Sequence, residues 1–412
     1  MTGYDSISFI LESVIHSIHD RDPDSIGVHA GYYGLAVCFL TYVFACFISP
    51  SILYATSAKT TLILSAICFT LFPLGFLFMN CYYYYFSSVV VGFGFALYYT
   101  GNGDYLTSHS TRQTIGSNAS LSWGFGFLLF FVFTLISLIA VFTFMFMPSK
   151  DISNCIESSG KQVTFMDGMR LMKKTLMSPK MFRLAPLFLL CGIHTSFWIS
   201  VYPTALMFNS HNAAMIYLPA IYCCAVGLGE TLMGVVISII SKRITDFSLR
   251  PEMLIGCILN TVYCMLALFN TPYNATNTPT TIEPLLCQPS QALALTIGLI
   301  AGISNCCLLS VRSTICAIAM PTRRAQAFSI SKMYQSLGAC VIFFISPWLN
   351  VYHYTIGIPI LSVVSTILFF REAKRTKIME RKITMDLEAE ARKITSELRA
   401  AKLEYELRNE ST

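Results

Sequence analysis

Long apolar runs, separated by short polar segments, dominate the chain. Ten of these runs reach the roughly 20 residues that a helix needs to cross the hydrocarbon layer of a membrane. A helix satisfies its own backbone inside lipid, so each run is predicted to be a transmembrane helix. The runs are Gly31–Tyr54, Thr60–Met79, Tyr82–Asp104, Asn118–Met147, Leu184–Phe208, Ala213–Ser241, Glu252–Asn270, Gln291–Val311, Ala325–Trp348 and Val351–Phe370.

The basic residues orient these crossings. Lys and Arg occur in alternate loops, with the largest group between Lys150 and Arg183, whereas the intervening loops have none. Because cytoplasmic loops are rich in Lys and Arg, the central loop and the C-terminus are predicted to be cytoplasmic. The longest loop on the other side, 271–290, holds the glycosylation sequon at Asn274, and a sugar there requires an extracellular or lumenal position.

In one place the number of predicted crossings disagrees with the orientation that the loop charges give. Basic loops flank Asn118–Met147 on both sides, so an even number of crossings must lie between them, yet this run is too short for two helices and a turn. Either it holds two shortened or re-entrant pieces, or residues are missing here. Ile7–Ile18 is similarly ambiguous: it is either the end of a first transmembrane helix or an amphipathic surface helix. A restored first helix and a doubled long run give twelve crossings in two groups of six, the architecture of the major facilitator superfamily.

Four segments carry a family resemblance: HAGYYGLA (His29–Ala36), YYTGNGDYLTSHSTRQTIGSNASLSW (Tyr98–Trp123), APLFLLCGIHTSFWISVYPT (Ala185–Thr204) and GLGETLMG (Gly227–Gly234). They resemble the uncoordinated-ninety-three family, which is related to the major facilitator superfamily. The resemblance implies an all-α, polytopic membrane protein with two six-helix halves. In this chain the first helix is truncated and the fifth and sixth are shortened or fused. The expected division is an incomplete N-terminal half at 1–147, a cytoplasmic linker at 148–183, a six-helix C-terminal half at 184–370 and a charged helical tail at 371–412.

Composition excludes several other classes. The 412 residues are 54% hydrophobic and 12% charged, and 20 of the 50 charged residues lie after residue 370. So few charges cannot cover a soluble enzyme or a nucleic-acid-binding domain of this size. The 15 cysteines form no C-x-x-C motif and no zinc-spaced cluster, and no nucleophile triad or phosphate loop is present, so no enzyme activity, metal or cofactor is expected.

Ionisable residues inside the apolar runs are the main site candidates, because they are costly in a membrane. Glu230 lies near the middle of its run, and Lys332 is its candidate partner in the next-to-last helix. The alternative for each is a structural contact. His194 and Trp198, four residues apart, are candidates to line a cavity, or else to make interhelical hydrogen bonds. Candidates for a cytoplasmic gate are Asp104, Arg112, Lys242 and Arg243.

The tail has an apolar helical seam at 383–405, which predicts a coiled-coil contact with a partner or else a single exposed helix. Two functions remain open. The resemblance implies an accessory or regulatory subunit of an ion channel of the potassium type or of a similar membrane complex. The plasma membrane is expected rather than an endomembrane. The alternative is a secondary solute transporter that works by alternating access. The lipid bilayer is the only partner that the composition itself predicts.

Overall fold

A computed structural model describes residues 2–21, 23, 25–75, 80–108, 165–209, 215, 218–244, 247, 249–286, 290–320 and 323–379. These residues are helical apart from turns, loops and one isolated bridge between Asn209 and Thr280. The helices are α1 (Thr2–Arg21), α2 (Ala30–Ala55), α3 (Ala58–Gly75), α4 (Cys81–Ser108), α5 (Phe165–Leu176), α6 (Pro179–Ser196), α7 (Tyr202–Phe208), α8 (Leu218–Arg243), α9 (Arg250–Asn270), α10 (Gln291–Ala319), α11 (Arg324–Ile345) and α12 (Val351–Met379).

Within the described residues, seven helical segments are long and apolar enough to cross a membrane. They are Ala30–Ala55, Pro179–Phe208, Leu218–Ser241, Arg250–Asn270, Gln291–Ala319, Arg324–Trp348 and Val351–Met379. The prediction of an all-α polytopic membrane protein is therefore confirmed. The long run Asn118–Met147 and the seam at 383–405 lie outside the described residues, and the proposed domain boundaries remain predictions.

The N-terminal helix α1 lies inside the bundle. Tyr4, Leu11 and Ile15 are at most 2% exposed, and the helix packs against α2 and α7. The buried side chains recur at spacings of four and seven, which places them on one face of the helix. The alternative of an amphipathic surface helix is therefore wrong, because the apolar face meets protein rather than the membrane surface.

The predicted helix Leu184–Phe208 contains a widened turn. It begins earlier, as α6, passes through a π-helical turn at Phe197–Val201 and continues as α7. Pro203 explains the turn: it lacks an N–H, and its ring would clash with the carbonyl of Ile199, four residues earlier. The backbone hydrogen bonds are rearranged locally while the segment remains one membrane-length unit.

Two helix pairings bring the site together. On one side α8 packs along α10, and on the other α11 packs against α2, α4 and α6. Glycine permits the closest approach in the first pair, because a β-carbon at Gly302 would overlap the carbonyl of Val226 on α8. The interior between these pairs holds the cavities described next.

Candidate functional site

A central cavity lies between α1, α2 and α4 on one side and the α6–π segment, α10 and α11 on the other. Its empty volume, which includes space open to solvent, is about 570 Å³. Apolar and aromatic side chains dominate the wall, and polar groups come from a few residues. The lining residues are Tyr4, Ser8, Leu35, Phe39, Tyr42, Phe95, Tyr99, Thr195, Trp198, Ile199, Asn305, Leu309 and Gln335.

Of the two cavity-lining candidates, the structure places one in the wall. Trp198 lines the central cavity, at the start of the widened turn. His194 is fully buried, but its neighbours Thr195 and Ile199 take the cavity side, and its ring instead lies edge-on to Tyr263 at 6.0 Å between centroids. Within the described residues, neither nitrogen of His194 has a hydrogen-bond partner of good geometry, although Asn305 lies beside the ring.

Glu230 is buried behind the wall of the central cavity. Its Oε1 accepts a hydrogen bond of 2.5 Å from Asn305 Nδ2, and Asn305 itself lines the cavity. The close approach of α8 and α10 at Gly302 brings these two side chains together, because a β-carbon at Gly302 would lie only 3.0 Å from the backbone nitrogen of Glu230. The carboxylate is thus linked to the cavity through one amide side chain.

The predicted ion pair between Glu230 and Lys332 is not found: among the described residues, no charge pair within 4 Å joins them. The Lys332 ammonium instead lies 3.3 Å from the centroid of the Tyr99 ring. The two helices explain the difference, since α8 packs on α10 whereas α11 packs on α2, α4 and α6. The positions of Glu230 and Lys332 along their helices therefore do not make their side chains face each other.

A second, smaller cavity holds two buried cations, and we call it the cationic pocket. Its empty volume is about 320 Å³, and its walls come from α4, α10 and α11. Arg312 and Lys332, respectively 2% and 1% exposed, both line it. The remaining lining residues are neutral: Tyr99, Asn102, Gly103, Leu106, Ser313 and Phe328. Tyr99 also lines the central cavity, so the two cavities share one wall residue.

Sequence reasoning missed Arg312 as a site residue. The apolar run was predicted to end at Val311, which made Arg312 a marker of the following cytoplasmic loop. The structure continues α10 to Ala319 and buries Arg312, whose guanidinium donates to Ser331 Oγ at 2.9 Å and to Ser313 Oγ at 3.2 Å. Hydroxyl groups on the neighbouring turns made this burial possible, but such serines are too common to signal it in a sequence.

A second buried carboxylate, Glu252, was also missed. It lies in the first turn of α9 and is fully buried, although a glutamate at the start of an apolar run normally marks a solvated helix end. Cys306 of α10 lies near both Glu252 and Glu230. Neither carboxylate oxygen of Glu252 has a hydrogen-bond partner of good geometry within the described residues, although Ser310 lies beside it.

Hydrogen bonds link α2 to distant parts of the chain on both sides of its cavity-lining residues. At one end, Tyr32 of α2 donates to the backbone carbonyl of Thr276, in the loop between α9 and α10, at 2.9 Å. At the other end, the Ser49 and Thr100 hydroxyls lie 2.8 Å apart, Ser329 of α11 lies 3.2 Å from Ser49, and the Ser329 hydroxyl donates to the Cys46 carbonyl. These contacts hold α11 against α2 and α4 on one side of the cavity and the loop against α2 on the other.

The gate candidates lie at helix ends. Asp104 is half-buried in the last turns of α4. Lys242 and Arg243 are the last two residues of α8; Arg243 is exposed, and the backbone alone is described for Lys242. Arg112 lies outside the described residues. Asn274 is exposed in the loop after α9, while the hydroxyl of Thr276 in the same sequon donates to the Leu349 carbonyl at 3.1 Å.

In the part of the chain that the structure describes, no group of three or more His, Cys, Asp or Glu side chains is arranged to hold a metal ion. The groups available for binding are therefore the aromatic walls, amides and hydroxyls of the central cavity, and the cations of the adjoining pocket.

Solved structures with the same helix arrangement define the class. The proton:xylose symporter XylE, bound to 6-bromo-6-deoxy-D-glucose, superposes with a TM-score of 0.63 at 11% identity, over 90% of this chain and 92% of that one. The transporter FucP in its outward conformation gives a TM-score of 0.56 at 14% identity, over 90% and 98%. The protein thus has the major facilitator fold, as predicted.

The family follows from the sequence comparison. The model of the UNC-93 family, described as ion channel regulatory protein UNC-93, matches residues 22–128 and 126–370. The chain belongs to this family, which confirms the resemblance. UNC93-like protein MFSD11 of Xenopus laevis is 23% identical over 418 residues, with 90% of this chain and 92% of the relative covered. The two family matches meet inside Asn118–Met147, the run where the loop charges require two crossings.

Proposed function

We propose that the protein is a carrier of the major facilitator type, which binds a small solute in the central cavity and exposes it alternately to the two sides of the membrane. The observation that carries this proposal is the central cavity between the two helix groups, together with the hydrogen bonds that link these groups on either side of it. A mostly aromatic and apolar lining with a few polar groups is typical of a site for a small organic molecule.

The experiment compares two phenylalanines on α2. Phe39 lines the central cavity, whereas Phe44, five residues later, is 63% exposed and lies on the outer surface of the bundle. Cells expressing the wild type, Phe39→Ala or Phe44→Ala at equal membrane levels are compared by untargeted metabolite profiling. We expect solutes that change with the wild type and Phe44→Ala but not with Phe39→Ala. Identical profiles for all three proteins and for untransfected cells would rule out the carrier.

A second candidate function is regulation of an ion channel, which the description of the family favours; the potassium type is what the resemblance implies. As an accessory subunit, the protein acts by contact with the channel and needs no solute. Co-expression with a two-pore-domain potassium channel is then expected to change the current equally for the wild type and Phe39→Ala. Co-purification of the two proteins is the accompanying measurement, and an unchanged current without co-purification counts against this function.

We also propose that the protein lies in the plasma membrane, with the central linker and the C-terminus cytoplasmic and a sugar on Asn274. The clustering of basic residues in alternate loops supports this orientation. An epitope inserted at the exposed Glu283, in the loop after α9, is expected to stain unpermeabilised cells. Asn274→Gln is expected to run faster on a gel, and an unchanged mobility would show that this sequon carries no sugar.

A further inference from the structure

We propose that helix α5 carries a binding surface for anionic phospholipids. Its basic side chains contact the lipid headgroups, and its methionines enter the edge of the hydrocarbon layer. The juxtaposition that carries the proposal is a stripe of exposed cations and methionines on a helix that packs against the last turns of a membrane-length helix. The proposal holds equally for a carrier and for a channel subunit, so it goes beyond both candidate functions.

Helix α5 has one side against the protein and one side directed away from it. The inner residues Gly168, Met172 and Thr175 are buried. The outer, exposed residues recur at spacings of four, three and four, which places them along one stripe of the helix. These residues, which we call the linker-helix stripe, are Met166, Arg170, Lys173 and Met177, with Lys174 beside them.

The contacts of α5 place the linker-helix stripe near the level where the membrane helices end. The hydroxyl of Ser51 donates to the backbone carbonyl of Phe165 at 3.4 Å. A β-carbon at Gly168 would lie 3.0 Å from Ser51 Oγ and 3.6 Å from the ring of Tyr54. Ser51 and Tyr54 belong to the last two turns of α2, which is long and apolar enough to cross a membrane. The ends of such a helix lie at the depth of the lipid headgroups.

The apolar side chains of the stripe suit that depth. Met166 is 65% exposed and Met177 is 77% exposed. Phe182, near the start of α6, is 72% exposed on the same stretch of chain. Large apolar side chains are costly in water, and this cost is removed when they enter the boundary between headgroups and acyl chains.

The charge of the stripe is positive. Asp167 is the one acidic residue of α5, and it pairs with Arg170 at 3.3 Å. Lys173 and Lys174 are exposed, and neither forms an ion pair with another described residue. A lysine close to an anionic membrane surface strengthens binding about fivefold. Anionic headgroups therefore complement the two lysines, while the adjacent methionines favour a lipid over a soluble anion.

A second group of cations adjoins the stripe. Lys180, three residues after Met177, donates to Met379 Sδ at 3.1 Å, so the end of α12 lies beside the start of α6. Glu372, the one acidic residue in 351–379, binds Arg183 at 2.7 Å. The exposed cations of this helix end are Arg371, Lys374 and Arg375. They extend the positive surface, so that more than one anionic headgroup finds a basic partner.

The test counts the lipids bound to the purified full-length protein by native mass spectrometry. The probes are dioctanoyl phosphatidylserine and dioctanoyl phosphatidylglycerol, which carry a net negative charge, and dioctanoyl phosphatidylcholine, which has the same tails and no net charge. The two anionic lipids are expected to bind about fivefold or more tightly than phosphatidylcholine. This preference is expected to fall when ammonium acetate is raised from about 0.05 to about 0.5 M, because salt screens exposed charges.

Matched variants locate the effect. The double variant Lys173→Gln with Lys174→Gln is expected to reduce the preference about threefold or more, whereas arginine at both positions retains it. The control, Arg21→Gln with Arg250→Gln, removes two exposed positive charges from the ends of α1 and α9 and is expected to leave the preference unchanged. Met177→Ala is expected to weaken the binding of all three lipids alike. The wild-type comparison needs no variant, so the test remains valid if a variant fails to fold.

Two competitors distinguish a lipid from other anions. Glycerophosphoserine carries the headgroup without the tails, and a deca-glutamate peptide represents an acidic segment of a partner protein. Neither is expected to displace phosphatidylserine at equal concentration, because neither provides the apolar contact with the methionines. Displacement by glycerophosphoserine would show a site for a soluble phosphate compound, and displacement by the peptide would show a docking surface for a protein; either result overturns the proposal.

Two further outcomes contradict it. If the wild type binds phosphatidylcholine as tightly as the anionic lipids, the surface does not select charge. If the preference survives in the Lys173→Gln, Lys174→Gln protein, or falls equally in the Arg21→Gln, Arg250→Gln control, the anionic lipids bind elsewhere. The metabolite comparison of Phe39→Ala with Phe44→Ala decides separately on the carrier, so failure of the lipid proposal leaves the proposed function intact.

Discussion

At the scale of single residues, the most informative groups are the ionisable side chains buried within the helices. Sequence analysis found Glu230 and Lys332 from their depth in the apolar runs and predicted a pair that the described contacts do not include. Depth along a helix can be counted from the sequence, but the direction of a side chain around the helix cannot be inferred when lipid-facing and protein-facing positions are both apolar. The structure supplies that direction and gives Glu230 the amide of Asn305, and Lys332 the ring of Tyr99.

Replacement of Glu230 tests the hydrogen bond to Asn305. Glu230→Leu leaves the buried amide donor without its acceptor, so we expect a loss of about 1–3 kcal/mol in the free energy of unfolding. Glu230→Gln retains an acceptor oxygen and is expected to lose less. Thermal unfolding in detergent is the measurement, with Glu283→Leu in the exposed loop after α9 as the control. A midpoint for Glu230→Leu equal to that of the control would mean that the hydrogen bond contributes nothing.

Replacement of Glu252 by glutamine is expected not to lower the stability of the protein, in contrast to Glu230→Gln. Its carboxylate is fully buried in the first turn of α9, where an ionised group is expensive unless it is well paired. Glu252→Gln has the same shape and no charge, so we expect unchanged or higher thermal stability. Glu252→Asp retains the acid but shortens it, and leaves a void against α10. A clear loss of stability in Glu252→Gln with none in Glu252→Asp would contradict the expectation.

At the scale of helices, seven of the ten predicted runs correspond to helices long and apolar enough to cross a membrane, but their exact ends were not predictable. The length of an apolar run predicts the approximate length of the membrane helix, because lipid-facing positions are apolar and most protein-facing positions are apolar too. The ends of the helices depend on polar residues that are buried by contacts with other helices. Arg312 extends α10 beyond its run, and Glu372, which binds Arg183 of α6 at 2.7 Å, lies in the extension of α12 beyond Phe370.

The contact between α8 and α10 provides a prediction at this scale. A β-carbon at Gly302 would overlap the carbonyl of Val226, so Gly302→Ala must separate the two helices. We expect a loss of about 1–3 kcal/mol, the usual cost of overpacking a tight interior. The matched control is Gly357→Ala in α12, where a β-carbon meets no atom within 4 Å. The control is expected to be neutral or up to about 1 kcal/mol more stable, because alanine favours a helix over glycine.

Differential scanning fluorimetry on both purified variants distinguishes these results. Because the new β-carbon would also lie 3.0 Å from the backbone nitrogen of Glu230, the alanine variant is expected to disturb the link between Glu230 and the cavity. A Gly302→Ala protein as stable as Gly357→Ala would show that α8 and α10 can move apart at no cost.

At the scale of the whole molecule, the sequence predicted the class of fold, but not the contacts that join the helix groups on either side of the cavity. Closure depends on contacts between distant parts of the chain: Tyr32 meets Thr276, and Ser49 meets Ser329. Tyrosine, serine and threonine side chains are frequent throughout the sequence, and nothing in their local pattern distinguishes those that bridge the two helix groups. The carrier proposal makes these contacts the ones that must break when the cavity opens.

Tyr32→Phe removes the hydrogen bond to the Thr276 carbonyl at one end and leaves the bonds around Ser329 at the other. One neutral hydrogen bond is worth about 0.5–1.5 kcal/mol, so the cavity is expected to open towards the Tyr32 end about two- to tenfold more often. Trp198 reports this opening, because it lines the cavity. With Trp123 and Trp348 replaced by Phe, quenching of its fluorescence by iodide added to one side of a proteoliposome is expected to rise.

The control is Tyr82→Phe, at a side chain 88% exposed at the start of α4, which is expected to leave the quenching unchanged. Ser329→Ala removes a contact at the opposite end, and is expected to raise quenching only by iodide from the other side of the membrane. These two variants therefore separate a two-sided cavity from a general loosening of the bundle. Increased quenching from both sides in either variant would indicate loosening, and the bonds at the two ends would then not act as gates.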